Sequence, residues 1–271
     1  MGPGVRGDSV SDNSGRTAHN ARVWNYWLGG KDHYPIDEQV GNTVTSMYPS
    51  IGEVARADRD FLRRAVEYLA VEAGVRQFLD IGTGLPTADN THQVAQRVAD
   101  DARVVYVDND PTVLTHARAL LTSSPEGATS YLDADARDPE KILRAAADTL
   151  DLDRPVAVMM LGILNFVPDT ATARSVVRTL LDALPSGSHL ALTHPTLELG
   201  GEGNAEAMAF WNKNATPPIT ARSRDEIASF FAGWELVEPG LVSCARWRAT
   251  TTTDGRLPQE VAQFGAVARK P

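Results

Sequence analysis

The feature of this sequence that most restricts its fold is a regular alternation of strand-like and helix-like segments between residues 75 and 195. Apolar runs such as VRQFLDIG and RVVYVDND are typical of buried strands. Each run is followed by a segment with helical spacing, such as NTHQVAQRVAD or PTVLTHARALL. Five such strands separated by four helices predict an α/β fold, in which helices cover both faces of a parallel sheet.

The alternation stops on both sides of this region. Before it, residues 55–74 carry apolar side chains at helical spacing and end at Gly74, which predicts a helix and its stop. After it, the strand-like segments 234–247 and 262–270 follow each other without a helix, which predicts an antiparallel pair at the sheet edge. The predicted organisation is a disordered tail, 1–20, an N-terminal helical and lid extension, 21–74, and one domain, 75–271.

Charge and composition exclude several classes of partner. A net charge of −9 argues against nucleic-acid phosphates and against an anionic membrane surface. The longest apolar run, 156–164, is too short to span a bilayer, and residues 1–15 lack the apolar centre of a secretion signal. Cys244 is the single cysteine, which fits a reducing cytoplasm, and no cluster at ligand spacing indicates a metal. We expect a cytoplasmic protein that acts on a small molecule, and the oligomeric state stays open.

The first predicted strand ends in DIGTG, at the sheet edge where doubly wound folds bind ligands. Gly82 and Gly84 allow a tight turn and a close approach to the main chain. A dinucleotide fingerprint would need a third glycine where Thr87 stands, and Asp80 would repel a pyrophosphate but attract an ammonium group. The motif favours a ligand with an amino acid moiety, although a turn that serves only packing explains it equally well.

The next two strands also end in carboxylates. Asp108 is placed to accept hydrogen bonds from ribose hydroxyls, unless it caps the following helix, a role that Asp110 could fill. Asp135 could accept from an adenine amino group while Ala136 leaves room for a flat ring, and the alternative is a simple turn. The three strand ends together predict a nucleoside with an amino acid tail.

Five segments of the chain together resemble a known family. They are FLDIGTGLPT, VVYVDNDP, DADARDP, the run from RSRDEI to GWELVEPGLV, and the opening RVWNYWLGGKDHYPID. They are similar to a bacterial S-adenosyl methyltransferase family whose members have no settled substrate, and the similarity spans about residues 20 to 270. It implies a class I methyltransferase fold, which is Rossmann-like and doubly wound. Its sheet would have seven mostly parallel strands, the last antiparallel, with S-adenosylmethionine (SAM) at the carboxyl edge.

The resemblance also implies roles for individual residues. The methionine end of SAM would be held at the first strand, the ribose at the second, and the adenine between the second and third. The residues are Asp80, Gly82, Thr83 and Gly84 for methionine, Asp108 for ribose, and Asn109, Asp135 and Ala136 for adenine.

The opening stretch NYWLGGKDHYP, residues 25–35, is too apolar for a floppy tail and too irregular for a helix or strand. We predict that it covers SAM as a lid, with Lys31 or Arg22 meeting the methionine carboxylate. Alternatively, it only fixes the N-terminus to the domain through Trp24 and Trp27. The residues assigned to the cofactor contact are Arg22, Tyr26, Gly30, Lys31 and Tyr34.

Catalysis by SAM does not require a strong base, because its methyl group is already activated, and alignment and exclusion of water do most of the work. The candidates for a catalytic role are His194 at the end of the fifth strand, Asn165 after the fourth, and His33 in the opening stretch. Residues 206–214 predict a helix that contributes a wall of the acceptor site.

The predicted function is therefore a SAM-dependent methyltransferase with a small-molecule acceptor. Two alternatives remain at this point. One is a catalytically silent SAM-binding regulatory protein. The other is an NAD-dependent oxidoreductase, which the missing third glycine disfavours.

Overall fold

A computed structural model describes residues 17–120, 122–251 and 255–271 of the chain. Residues 1–16 of the predicted disordered tail lie outside the described residues. The helices are α1 Asn20–Trp27, α2 Pro35–Met47, α3 Ile51–Val71, α4 Thr91–Gln96, α5 Pro111–Leu120, α6 Pro139–Ala146, α7 Thr170–Asp182, α8 Gly201–Asn214 and α9 Arg224–Ala228, with 3-10 turns at Leu164–Phe166 and Ser229–Phe231. The strands are β1 Ala18–His19, β2 Gln77–Ile81, β3 Arg103–Asp108, β4 Ala128–Asp133, β5 Ala157–Leu161, β6 His189–Pro195, β7 Ala215–Thr216, β8 Glu235–Leu236, β9 Val242–Ser243 and β10 Gln263–Arg269.

The centre of the protein is a mostly parallel sheet with the strand order β4-β3-β2-β5-β6-β10-β8. Strands β2 to β6 pair in parallel, and β10 is antiparallel to β6, β8 and β9. The predicted alternation and the antiparallel C-terminal strand are confirmed. The chain winds from β2 outward to β4 and then returns to place β5 on the other side of β2. The strand order therefore reverses between β2 and β5.

The prediction of one strand over residues 234–247 is wrong, because this segment forms only the two-residue strands β8 and β9. A turn separates them, in which Gly240 has a φ of 82° and donates its N–H to the carbonyl of Val237 at 2.9 Å. Pro239 has no N–H to offer to a ladder, and a turn at this position follows from the Pro-Gly pair. The described sheet consequently has eight strands where the family resemblance implied seven.

Two apolar layers cover the faces of the sheet. Successive strand residues point to opposite faces, so Phe78 packs with Phe61 of α3 in one layer, while Leu79 packs with Ile142 of α6 in the other. The layer that contains α3 also receives the N-terminal helices, through residues such as Val44 of α2. The N-terminal extension is therefore part of the same core.

The opening stretch, residues 25–35, is helical only at its two ends, and residues 28–34 between them have no regular secondary structure, as the sequence predicts. Residues 25–27 complete helix α1, and Pro35 begins α2 at the favoured first helical position. Asp37 joins these pieces, because its carboxylate accepts from the backbone N–H of His19 at 2.9 Å and of Tyr34 at 2.8 Å. The contact with His19 spans 18 residues of sequence, and such tertiary contacts stabilise short helices that local propensity alone would leave marginal.

A short parallel pairing connects the start of the N-terminal extension to a segment that is distant in sequence. Strand β1, which precedes α1, pairs with β7, which follows α8. Helices α2 and α8 also contact each other. In the described part of the chain, no helix has the length and apolar composition that a bilayer-spanning segment requires.

Candidate functional site

A cavity opens at the carboxyl ends of the parallel strands, where the strand order reverses between β2 and β5. Its floor comes from the segments that follow β2, β3 and β5 and from the first residue of β10. Helices α1, α3 and α8 supply its walls. Such a switch point is where doubly wound sheets bind their ligands.

The glycine turn after β2 has the open main chain that the sequence predicts. Gly82 has a φ of 77°, and a Cβ there would lie 2.4 Å from the side chain of Ile163. Gly84 has a φ of 64°, and a Cβ there would meet nothing within 4 Å. Thr83 lies between them and also lines the cavity. The turn therefore needs glycine for its conformation, and at Gly84 it leaves the backbone open to a ligand.

Asp108 lines the cavity at the end of β3 and also joins two loops. Its Oδ2 accepts from the N–H of Gly84 at 3.0 Å, and its Oδ1 accepts from the N–H of Asp110 at 2.9 Å. Burial raises the pKa of Asp108 above its ordinary value. Each carboxylate oxygen has a second lone pair, so ribose hydroxyls can still be accepted. The capping role belongs to Asp110, whose Oδ1 accepts from the N–H of Thr112 at 2.8 Å.

An acidic and a basic group lie together on the wall of the cavity beside β2. Asp80 is buried, and its Oδ2 accepts from the hydroxyl of Thr91 at 2.6 Å. Burial raises the pKa of Asp80 to about 6, although the Thr91 hydroxyl and the charge of Arg59 oppose this rise. Arg59, from α3, lines the same cavity and donates from Nη2 to the carbonyls of Ala88 and Asp89 at 3.0 and 3.1 Å. This pair complements the ammonium and carboxylate of an amino acid.

Arg59 was not among the residues expected from the sequence. It belongs to an amphipathic helix whose spacing predicts a buried face but gives no indication of which strand ends it will reach. Within the described part of the chain, Arg59 is the one arginine or lysine that lines the cavity. In the same part of the chain, no residue accepts from its Nε or Nη1.

The residues predicted around the adenine divide between the cavity and its rim. Asn109 lines the cavity, and its Nδ2 lies 3.4 Å from Oδ2 of Asp135. Asp135 itself is not a lining residue, since its carboxylate binds the guanidinium of Arg137, which holds the pKa of Asp135 below its ordinary value. Ala136 packs at the edge of the second apolar layer. A contact of Asp135 or Ala136 with adenine stays a prediction.

The five residues assigned to the lid contact are all described, and none of them lines the cavity. Arg22 is buried in an ion pair with Asp37, with 2.7 Å between Nε and Oδ2, and its guanidinium lies over the ring of Tyr34. Tyr26 donates to Oδ1 of Asn42 at 2.7 Å. Arg22 and Tyr26 therefore serve the fold of the extension, and the structure does not place them where they could meet a cofactor carboxylate.

The other members of this set also lie elsewhere. Gly30 is packed so closely against Asn25 that a Cβ would lie 2.3 Å from its amide oxygen, so glycine is needed here for packing. Lys31 and Tyr34 are exposed. The extension nevertheless forms a wall of the cavity, through Trp24 and Trp27 of α1. That this wall opens and closes as a lid stays a prediction.

Of the three candidates for a catalytic role, His194 is excluded by its surroundings. Its Nδ1 lies 2.9 Å from the carbonyl oxygen of Pro195, and its Nε2 lies 2.8 Å from Nη1 of Arg222. An arginine only donates, so Nε2 accepts and Nδ1 carries the proton, which leaves neither nitrogen for a substrate. Burial lowers the pKa of His194 to about 4, and Arg222 lowers it further. His194 is therefore a structural residue and not a base.

The other two candidates differ in position. His33 packs edge-on against Tyr26 and is not a lining residue of the cavity. Asn165 lines the cavity, is 4% exposed, and its Oδ1 has no hydrogen-bond partner among the described residues. Helix α8 forms a wall, as the sequence predicts for residues 206–214, and its Trp211 is buried against the cavity while Phe210 is only partly buried.

Comparison with known proteins gives consistent matches over nearly the whole chain. Residues 9–271 match the model of a family described as S-adenosyl methyltransferase. A DUF574 family protein from Streptomyces avermitilis MA-4680 is 47% identical, with 95% of this chain and 99% of that chain covered and a TM-score of 0.90. A protein from Thermobifida fusca YX, provisionally assigned as a methyltransferase, is 39% identical, with 97% and 99% covered and a TM-score of 0.85. No curated protein matches the chain significantly.

Proposed function

Since this chain belongs to the S-adenosyl methyltransferase family, we propose that it transfers the methyl group of SAM to a small molecule held in the same cavity. The observation that carries this proposal is the continuity of the cavity. It runs from the polar wall of Asp80 and Arg59 to an apolar region between α1 and α8. A methyltransferase needs both parts side by side, because the donor and the acceptor must meet in one water-free space.

The residues around the polar end fit SAM. Arg59 and Asp80 would hold the carboxylate and the ammonium of the methionine end, and Asp108 would accept from the ribose hydroxyls. The open backbone at Gly84 leaves room for the ligand to approach the main chain. When bound, SAM supplies a methyl group on a positively charged sulfur.

The apolar walls exclude water from the transfer site. Trp24 and Trp27 of α1 and Trp211 of α8 lie on the cavity. Asn165 lies in the 3-10 turn that follows β5 and lines the cavity. We assign the tryptophans to shielding the site and Asn165 to orienting the acceptor.

Binding and transfer experiments test this function directly. We expect calorimetry to show micromolar dissociation constants for SAM and S-adenosylhomocysteine and much weaker binding of NAD, because Asp80 lies where a pyrophosphate would be repelled. Incubation with methyl-labelled SAM and a bacterial metabolite extract should transfer the label to a small molecule. Tighter binding of NAD than of SAM would contradict the proposal, and SAM binding without any transfer would favour a regulatory protein.

The affinity for SAM is expected to fall as the pH is lowered through about 6, because protonation removes the charge of Asp80. The ligand-free protein should respond in the opposite direction. An unfolded aspartate titrates near about 3.9. Between that pH and about 6, the folded state holds a proton that the unfolded state lacks, so the stability contributed by Asp80 decreases as the pH rises.

Calorimetry with SAM at a series of pH values between about 5 and 8 measures this effect. The variant Asp80→Asn should bind SAM weakly and lose most of the dependence on pH. If the affinity of the wild type for SAM stays constant from about pH 7 to 5, Asp80 does not bind the ammonium group of SAM.

A further inference from the structure

We propose that the part of the cavity beside β6 and β10 binds an aromatic, apolar methyl acceptor through one hydroxyl or amine group, and that Asp58 accepts the hydrogen bond and then the proton of that group. This proposal rests on the proposed function, since it names the acceptor class of the same site.

The place of the acceptor follows from the strand order. The residues that fit SAM lie at the ends of β2 and β3, on one side of the switch point. On the other side the cavity continues past β5 to Pro195, at the end of β6, and to Gln263, at the start of β10. An acceptor that binds in the same cavity at the same time as SAM must therefore occupy this second side.

Asp58 presents a carboxylate to that side. It comes from α3, lines the cavity and is 6% exposed. Its Oδ1 accepts from the hydroxyl of Thr193 and from Nε2 of Gln263, both at 2.6 Å. Within the described ranges Oδ2 has no hydrogen-bond partner, so the carboxylate is fixed through one oxygen and is available through the other. Burial raises the pKa of Asp58, which makes it a better proton acceptor than an exposed aspartate.

A second polar group on the cavity also lacks a partner. The buried amide of Asn165 has an Oδ1 that no described residue satisfies. Buried polar atoms in folded proteins are rarely left unpaired, and an amide can present either its oxygen or its nitrogen. A polar group on the bound acceptor would satisfy it.

The rest of the cavity lining favours an acceptor with a flat, apolar ring system. The ring centroids of Trp24 and Trp27 are 6.0 Å apart, and those of Trp27 and Trp211 are 6.3 Å apart, so the three form a continuous aromatic wall. Tyr48 and Met208 add to the lining. Aromatic side chains of this kind pack well against ring systems.

Charge selects against an anionic acceptor. Three carboxylates line the cavity, those of Asp58, Asp80 and Asp108, whereas Arg59 is the one guanidinium among the described lining residues. Arg59 is assigned to the cofactor carboxylate. A neutral hydroxyl or an amine is therefore favoured over a carboxylate or phosphate.

The transfer balances with Asp58 as the proton acceptor. The new bond joins the oxygen or nitrogen of the acceptor to the methyl carbon, and the carbon–sulfur bond breaks with its electron pair left on sulfur. The proton of the hydroxyl or amine passes to Oδ2 of Asp58 and is released to water with the product.

Equilibrium dialysis of three naphthalene probes against protein saturated with S-adenosylhomocysteine tests the proposal. The probes are naphthalene, 2-naphthol and 2-naphthoate, which share the ring and differ in the polar group. We expect 2-naphthol to bind about tenfold or more tightly than either of the others, as a hydrogen bond to a charged group predicts.

The variant Asp58→Asn keeps an Oδ1 for Thr193 and Gln263 but places an amide nitrogen where Oδ2 stands. It should abolish the preference for 2-naphthol and leave the affinity for S-adenosylhomocysteine unchanged. The matched control is Asp60→Asn, on the same helix with a side chain that is 61% exposed, and it should change neither affinity. Should Asp58→Asn fail to fold, Asn165→Ala serves as the second variant, with the preference for 2-naphthol expected to weaken.

Equal binding of naphthalene and 2-naphthol by the wild type would overturn the proposal. So would an unchanged preference in folded Asp58→Asn. A wild type that does not bind S-adenosylhomocysteine at all would instead overturn the proposed function, and the acceptor proposal with it.

Discussion

Replacement of Arg22 by methionine is expected to lower the free energy of unfolding by about 3–5 kcal/mol, the range for breaking a buried ion pair from one side. Arg22 and Asp37 are 6% and 0% exposed, and the pair is joined at 2.7 Å. Methionine retains much of the side-chain volume but leaves the carboxylate of Asp37 buried without its counter-charge. The bond from Nη2 of Arg22 to the carbonyl of Thr17, at 2.9 Å, is lost as well.

Denaturant unfolding of the ligand-free protein near pH 7 measures this change. The matched control is Lys31→Met, a change at an exposed position that should stay within about 0.5 kcal/mol of the wild type. A loss below about 1 kcal/mol for Arg22→Met would show that the pair contributes no more than a surface contact.

Replacement of Arg59 by methionine is expected to weaken SAM binding about tenfold to a hundredfold. This range corresponds to the loss of about 1.5–3 kcal/mol from hydrogen bonds to a charged partner. Arg59 already donates from Nη2 to the carbonyls of Ala88 and Asp89, which holds the guanidinium on the wall of the cavity. The other nitrogens are then oriented before the ligand arrives, and little side-chain entropy is lost on binding.

Calorimetry with SAM on Arg59→Met and Lys31→Ala shows which of the two residues binds the methionine carboxylate of SAM. Lys31, which the sequence suggests, is exposed and is not a lining residue, so its removal should leave the affinity within about twofold of the wild type. The reverse pattern, with SAM binding lost in Lys31→Ala and retained in Arg59→Met, would return this role to the opening stretch.

The sequence predicted the sheet and the strand-end residues because both depend on local pattern. Strand and helix periods place Asp80 and Asp108 at the ends of neighbouring parallel strands, and neighbouring ends share one edge. The glycine turn is equally local, since Gly82 and Gly84 both adopt positive φ. These residues line one cavity in the structure.

The rest of the site depends on contacts between distant segments, which a single sequence does not reveal. Asp58 reaches Thr193 and Gln263, which follow it by 135 and 205 residues. His194 has the sequence position of a base at a strand end, but Arg222, 28 residues further on, occupies its second nitrogen. Helix α1 was missed for the same reason, since Asp37 and the neighbouring helices stabilise it.

The two-residue pairing of β1 with β7 has a consequence for how ligands enter. It fastens the start of α1 to the end of α8, the two helices that carry the tryptophan wall. His19, within β1, also lies 3.3 Å from Asp110, in the loop that follows Asp108. If α1 moves as the predicted lid, this pairing would transmit the movement to α8, and both ligands would then share one energetic cost of opening. Such sharing is the physical basis of reciprocal linkage, in which occupancy of either half of the cavity favours occupancy of the other.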